Sequence, residues 1–191
     1  MFSLSSRNMR LRWALLLGAA VNAATIPSRA DPEQSFGLYA YGEGIGGLPV
    51  FYNEGMAFVT DFTTANTTDM VPVSFTFSDT TFTAQPNTTS NNSSSSPGFD
   101  VAVLSIPADD APYRQVHFLV NDTSDGKITS GFGFFGAMVF LQGSDGSLQT
   151  QFYAESTDTE GIWALAWDDA DAEGAVPVTI KDTPPPNLEA K

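Results

Sequence analysis

The octapeptide VPVSFTFS, Val71 to Ser78, constrains the fold more than any other stretch. Val71, Val73, Phe75 and Phe77 fall on one side of an extended chain, and Pro72, Ser74, Thr76 and Ser78 on the other. A period of two is the signature of a half-buried strand. QVHFLV repeats it, with Val116, Phe118 and Val120 inward, and FDVAVLSI, Phe99 to Ile106, is apolar on both faces like a central strand. Further strands are expected at Gly37–Tyr41, Pro49–Asn53, Met56–Phe62, Ile128–Phe134, Ala137–Gln142, Leu148–Glu155, Ile162–Trp167 and Val176–Lys181. Asn53-Glu54-Gly55 and Gly143-Ser144-Asp145-Gly146 read as hairpin turns. No helical stripe appears beyond the N-terminal segment. About ten short strands in one domain suggest a sandwich, jelly roll or barrel, and the expectation is one all-β domain over residues 36–181 of the sandwich or jelly-roll kind.

The N-terminal segment reads as a secretory signal. Arg7, Arg10 and Arg12 form a basic region, Trp13 to Val21 an apolar run, and Val21-Asn22-Ala23 a small-x-small cleavage pattern. The run is too short for a span, which needs about 20 residues. The expected layout is a signal over 1–23, an extension over 24–35, the β domain, and a Pro-rich tail over 182–191 that carries no lipid-anchor signal. Cleavage removes three of the 8 Lys and Arg but none of the 22 Asp and Glu, so the formal charge of −14 becomes more negative still. Such a surface repels nucleic acid and anionic lipid. With no cysteine, disulfides and thiolate metal sites are excluded.

The stretch QPNTTSNNSSSSPG, residues 85–98, is of low complexity and is expected to form a disordered surface loop. Asn87, Asn91 and Asn92 begin glycosylation sequons there, and Asn66 and Asn121 begin two more.

Gly42, Gly44 and Gly47 form a GxGxxG pattern, which recurs at Gly131, Gly133 and Gly136. Each copy is followed by Val-Phe and then an acid-glycine turn: Val50-Phe51 with Glu54-Gly55, and Val139-Phe140 with Asp145-Gly146. A dinucleotide site requires a helix after the glycines, and strands follow here instead. The glycines therefore read as turns and bulges. The echo points either to two similar halves from a duplication or to convergence on one turn chemistry.

Sites for chemistry are few. His117 is the single histidine and faces away from Val116 and Phe118; no nucleophile elbow accompanies it. A glycosidase needs two carboxyl groups about 5–5.5 Å or about 6.5–9.5 Å apart. Glu43, Glu54, Glu155 and Glu160 are candidates, though solvated turn carboxylates are the plainer reading. Trp163 and Trp167 share one face of GIWALAW, roughly 13 Å apart, a spacing that suits either a core face or a sugar-stacking platform. In DDADAEG, Asp169, Asp171, Glu173 and Gly174 match the start of a calcium loop, but Ile180 stands where the closing Glu belongs. No other cofactor is indicated.

The segments LYAYG, GLPVFYNEGMAFV, LQTQFYAESTD, GIWALAW and VPVTI, spread over Leu38 to Ile180, resemble a group of small secreted fungal β-proteins with no established activity. The resemblance implies a secreted, fungal origin and carries over no catalytic residues. The expected function is that of a non-enzymatic extracellular glycoprotein recognising a carbohydrate or a protein partner. A carbohydrate-active hydrolase with a carboxylate pair is the alternative.

Overall fold

A computed structural model describes residues 34–61, 69–87, 98–121 and 126–186, and among these no helix occurs. The first seven strands are β1 (Tyr39–Gly42), β2 (Ile45–Asn53), β3 (Met56–Thr60), β4 (Val71–Ser78), β5 (Thr81–Pro86), β6 (Ala102–Pro107) and β7 (His117–Leu119). The next four are β8 (Lys127–Ile128), β9 (Phe132–Phe135), β10 (Met138–Gln142) and β11 (Leu148–Gln149). The last three are β12 (Phe152–Ser156), β13 (Ile162–Trp167) and β14 (Val176–Lys181).

Ten of these strands form a closed antiparallel circuit in the order β1-β2-β4-β5-β6-β7-β3-β13-β12-β14, with β14 returning to β1. The all-β class is as expected, but the sheet is a barrel and not an open two-sheet sandwich or jelly roll. The reason is the seam, where Tyr39–Gly42 pairs with Val178–Lys181 and neither terminal strand remains an edge. The β2–β3 hairpin braces the circuit from within it. β2 pairs with β1 near its start and with β4 at Phe51 and Tyr52. β3 pairs with β13 through Phe58–Thr60 and with β7 at Met56.

The barrel is filled by side chains. Phe75 and Phe82 are fully buried, and Phe118, Phe152, Leu165, Trp167, Val178 and Ile180 join the same core. Phe82 on β5 is the centre of an aromatic cluster. Its ring lies 6.3 Å from Phe36, 6.4 Å from Phe75, 4.8 Å from Phe77, 5.5 Å from Phe132 and 5.4 Å from Phe134. Phe132 and Phe134 come from β9, which with β10 and β11 forms a flap off the ten-strand circuit.

That flap is fixed from the β4–β5 turn. Asp79 (φ 49) and Thr80 (φ 61) both adopt left-handed backbone, an outlier for a β-branched residue. Thr80 is held there by the flap itself: its carbonyl accepts from Phe132 N–H (3.0 Å) and its hydroxyl oxygen accepts from Gly131 N–H (3.0 Å).

Several expectations shift in detail. β5 was not expected, and it carries Gln85 and Pro86, so the Ser/Asn-rich loop begins after them. The expected strand over QVHFLV shortens because it changes partners at Val116. Val116 N–H bonds the Leu165 carbonyl on β13, whereas Ser105, Leu104 and Val103 on β6 pair with His117–Leu119. Leu148–Glu155 breaks into β11 and β12. The tail does not begin as a free end: Asp182 is buried, its N–H bonds Ala137 O, and Tyr41 Oη donates to Thr183 O at 2.7 Å. The signal over 1–23 and the sequons at Asn66, Asn91 and Asn92 lie outside the described residues.

Both copies of the glycine pattern lie in a three-strand antiparallel meander, β1-β2-β3 in the first and β9-β10-β11 in the second. They differ in the turn: Gly44 (φ 71) turns the chain between β1 and β2, whereas the matching role between β9 and β10 falls to Gly136 (φ 61). The turn glycine is the second of its pattern in one case and the third in the other. One meander belongs to the barrel circuit and the other to the flap.

Two predictions follow from this packing. Phe82→Ala is expected to cost ~3–5 kcal/mol in urea unfolding, and Phe77→Ala distinctly less because Phe77 is half-exposed. Glu54 (φ 48) and Gly55 (φ 85) form a two-residue turn with both φ values positive, the pattern that favours Asn-Gly. Glu54→Asn should therefore raise stability by about 0.5–1 kcal/mol, seen as a melting shift of about 1–4 °C.

Candidate functional site

Residues paired across neighbouring strands point to the same face of the sheet. Ala57 and Val59 face the barrel interior and are fully buried. Phe58 and Thr60 therefore face outward, together with their partners Ala164 and Ile162 on β13. Glu155 faces the same way because it pairs with Ala164. Gln115 does so through its bridge to Ala166. This outer face carries every chemically suggestive arrangement among the described residues.

At one end of the face Phe51, Met70 and Ile162 form a small buried cluster of their own, with Phe58 packed against it. A cleft of about 310 Å³ opens over Phe58, Met70 and Ile162 and is rimmed by Asn53, Asp69, Thr157, Asp158 and Thr159. The rim is built by turns. Thr157 Oγ1 donates to Ile162 O (2.8 Å) and accepts from Thr159 N–H (3.2 Å), which locks the β12–β13 turn. Thr60 Oγ1 donates to Gly161 O from below at 2.8 Å. Asp69, Asp158 and Thr159 are exposed.

One row along the same face, Phe58, Ala164 and Glu155 lie side by side on β3, β13 and β12. The chain leaving β13 steps across β12 to reach β14, and it brings Asp169 into hydrogen-bonding contact with Glu155. Burial, the bond to Asp169 and the repulsion between the two carboxyl groups push Glu155 up to about 7. Glu155 Oε1 is shut off from solvent without a hydrogen bond, and so is Gln115 Nε2. A protonated carboxyl near neutral pH is what a general acid requires. Yet a pair in contact leaves no sugar bond between its members, since glycosidases hold theirs about 5 Å or more apart.

The other sequence candidates sit elsewhere. Trp167 is buried and meets the Phe152 ring edge-on at 4.8 Å. Trp163 is half-buried and packs on the main core. The larger face of GIWALAW is thus the core face, and the pair offers no open stacking platform. Asp169 turns to Glu155, while Asp171 and Glu173 stay exposed. Among the described residues no three acidic or imidazole side chains converge on a common point, so the calcium ligands of the loop are not assembled. Glu43, Glu54 and Glu160 lie exposed in turns.

His117 Nδ1 lies 2.8 Å from the Gln115 carbonyl, and the ring meets Tyr113 edge-on at 5.0 Å. Burial lowers its pKa, partly offset by that hydrogen bond, with Lys127 lowering it further. Buried Ser105 donates its hydroxyl to the His117 carbonyl and not to the imidazole, so the two form no relay. Of the sequons, Asn121 is exposed in left-handed backbone and Asn87 is half-buried just past β5.

The cleft was not visible in the sequence. Asn53 ends β2 while Asp69 and Asp158 occupy a loop and a turn, and only the pairing of β2 with β3 and β4 and of β3 with β13 gathers them. The pairing of Glu155 with Asp169 was equally hidden, since it depends on a connection that crosses a strand.

The raised pKa of Glu155 has a measurable consequence. Glu155 ionises at an ordinary 4.5 when unfolded and at about 7 when folded. Its protonated form therefore supports the fold fully below the lower value, and that support is lost as pH rises through the upper one. Glu155→Gln should match the wild type near pH 4 and exceed it at pH 8 by about 1 kcal/mol, solvent screening having reduced the effect. Chemical denaturation across that range checks it, and an unchanged difference would show that folding does not raise the Glu155 pKa.

Compared with known protein families, curated proteins and solved structures, the chain matches none.

Proposed function

We propose that this is a secreted, non-enzymatic glycoprotein that recognises a carbohydrate through the cleft on the outer face of β3 and β13. The observation that carries the reading is the composition of that cleft. Its floor is apolar, from Phe58, Met70 and Ile162, and its rim is polar, from Asn53, Asp69, Asp158 and Thr159. A pyranose has the same division, with C–H faces that pack on apolar or aromatic groups and hydroxyls that exchange hydrogen bonds with amides and carboxylates. Its volume falls at the lower end of small-ligand sites, which suits a short stretch of sugar chain. A ligand inside the barrel is disfavoured, because aromatic rings already fill that space.

Recognition is preferred over hydrolysis for a geometric reason. The carboxyl pair formed by Glu155 and Asp169 is in direct contact, too close to flank a glycosidic bond. His117 is bonded to backbone and has no serine partner. The secretory signal and the exposed sequon at Asn121 are consistent with a glycosylated extracellular protein.

A glycan array with the mature protein tests the reading, followed by titration of the best-retained oligosaccharide. Asn53→Ala should weaken that binding about fivefold, the value of one hydrogen bond. Trp163→Phe should leave it unchanged, because that ring faces the core. Retention of no glycan, or steady turnover of a glycan into shorter products, would overturn the proposal.

A further inference from the structure

The charge of the cleft names its ligand more closely, and this step rests on the carbohydrate reading above. Two of the side chains around the cleft, Asp69 and Asp158, are exposed carboxylates, and none of its lining residues is basic. Neither has a hydrogen bond or ion pair with the described residues that would neutralise it. They stand on separate elements, one just before β4 and the other in the β12–β13 turn, on either side of an apolar floor. A neutral sugar would leave both charges without a counter-charge, and an anionic sugar would be repelled, the more so by a chain whose formal charge is −14. A sugar carrying a protonated amine satisfies both parts of the site: its ring packs on Phe58 and Ile162 while its ammonium meets a carboxylate.

We infer that the cleft selects amine-bearing saccharides, such as oligomers of 2-amino-2-deoxyhexose, over their N-acetylated or neutral counterparts. Acetylation removes the charge while keeping the ring, so it isolates the contribution of the two aspartates. An exposed ion pair contributes modestly, and two acting together correspond to a preference of about five- to tenfold. Because exposed pairs are screened, the preference should shrink as salt is raised.

The test is calorimetric titration of the mature protein at pH 5.5 with three probes: a glucosamine tetrasaccharide, its fully N-acetylated form, and a tetralysine peptide. The expected result is binding of the glucosamine form about five- to tenfold more tightly than the acetylated form. Asp69→Asn with Asp158→Asn should bring the ratio near one while the melting temperature holds, since both side chains are exposed. Asp158→Asn alone, at the turn, should give an intermediate ratio. Equal or tighter binding of the acetylated probe would overturn the charge inference and leave the carbohydrate reading standing. Failure of both tetrasaccharides to bind would overturn the amine-saccharide inference, while the glycan array decides the carbohydrate reading separately. Tetralysine binding as tightly as the glucosamine form, with the same dependence on the two aspartates, would overturn saccharide selection in favour of a basic peptide.

Discussion

The packing around Phe82 is the constraint on which the rest of the structure depends. One ring on β5 touches the N-terminal segment through Phe36, its own hairpin through Phe75 and Phe77, and the flap through Phe132 and Phe134. These groups are far apart in sequence and belong to parts of the chain with few other reasons to meet. β10 joins β14 by only one residue pair, Met138 with Lys181. The flap is further tied by the bonds to Thr80, by Asp182 N–H to Ala137 O, and by Val139 and Leu141 buried in the core. Edge-on aromatic contacts add to the area they bury, and here they decide which surface the flap covers. The left-handed Thr80 is part of the same assembly. Its backbone cost, on the order of 1–3 kcal/mol for such an outlier, is offset by the two-residue β4–β5 turn, which needs positive φ at both positions, and by the Gly131 and Phe132 amides docked on it.

Much of this architecture was legible in the chain, and what was not has a physical explanation. The alternation in Val71–Ser78 sets β4 and its inward face with no help from elsewhere. The Glu54-Gly55 turn was legible for the same local reason, because an acid and a glycine between two apolar runs make a two-residue hairpin turn. β5, the strand that carries Phe82, was missed. Thr81 and Thr83 alternate with Phe82 and Ala84, a valid pattern, but it is short and runs directly into a low-complexity segment. Barrel closure was missed because no local signal encodes it. It depends on Tyr39–Gly42 meeting Val178–Lys181 across nearly the whole domain.

The two faces of β13 explain why the most conspicuous side chains lie outside the proposed binding cleft. Trp163, Leu165 and Trp167 are large and face inward; Ile162, Ala164 and Ala166 are smaller and face outward. Large rings attract attention in a sequence as ligand platforms, yet a closed barrel of this size must fill its interior, and rings do that best. What remains open is the outer surface, where the alanines leave room beside neighbouring side chains on the sheet. Glu155 lies beside Ala164 and Gln115 beside Ala166, and in each an atom lies buried without a partner.

The cleft and the carboxyl pair lie on adjacent rows of one surface, so the crossing connection borders the proposed binding site. Thr157 is on the cleft rim just past the end of β12, and Glu155 lies two residues before it on that strand. Asp169, on the segment that steps over β12, contacts Glu155 from outside. Burial and that neighbour keep the Glu155 carboxyl protonated up to about 7, on the strand that leads directly into the rim. A change in the charge of Glu155 is therefore felt first where the connection and the rim meet, and not in the aromatic interior.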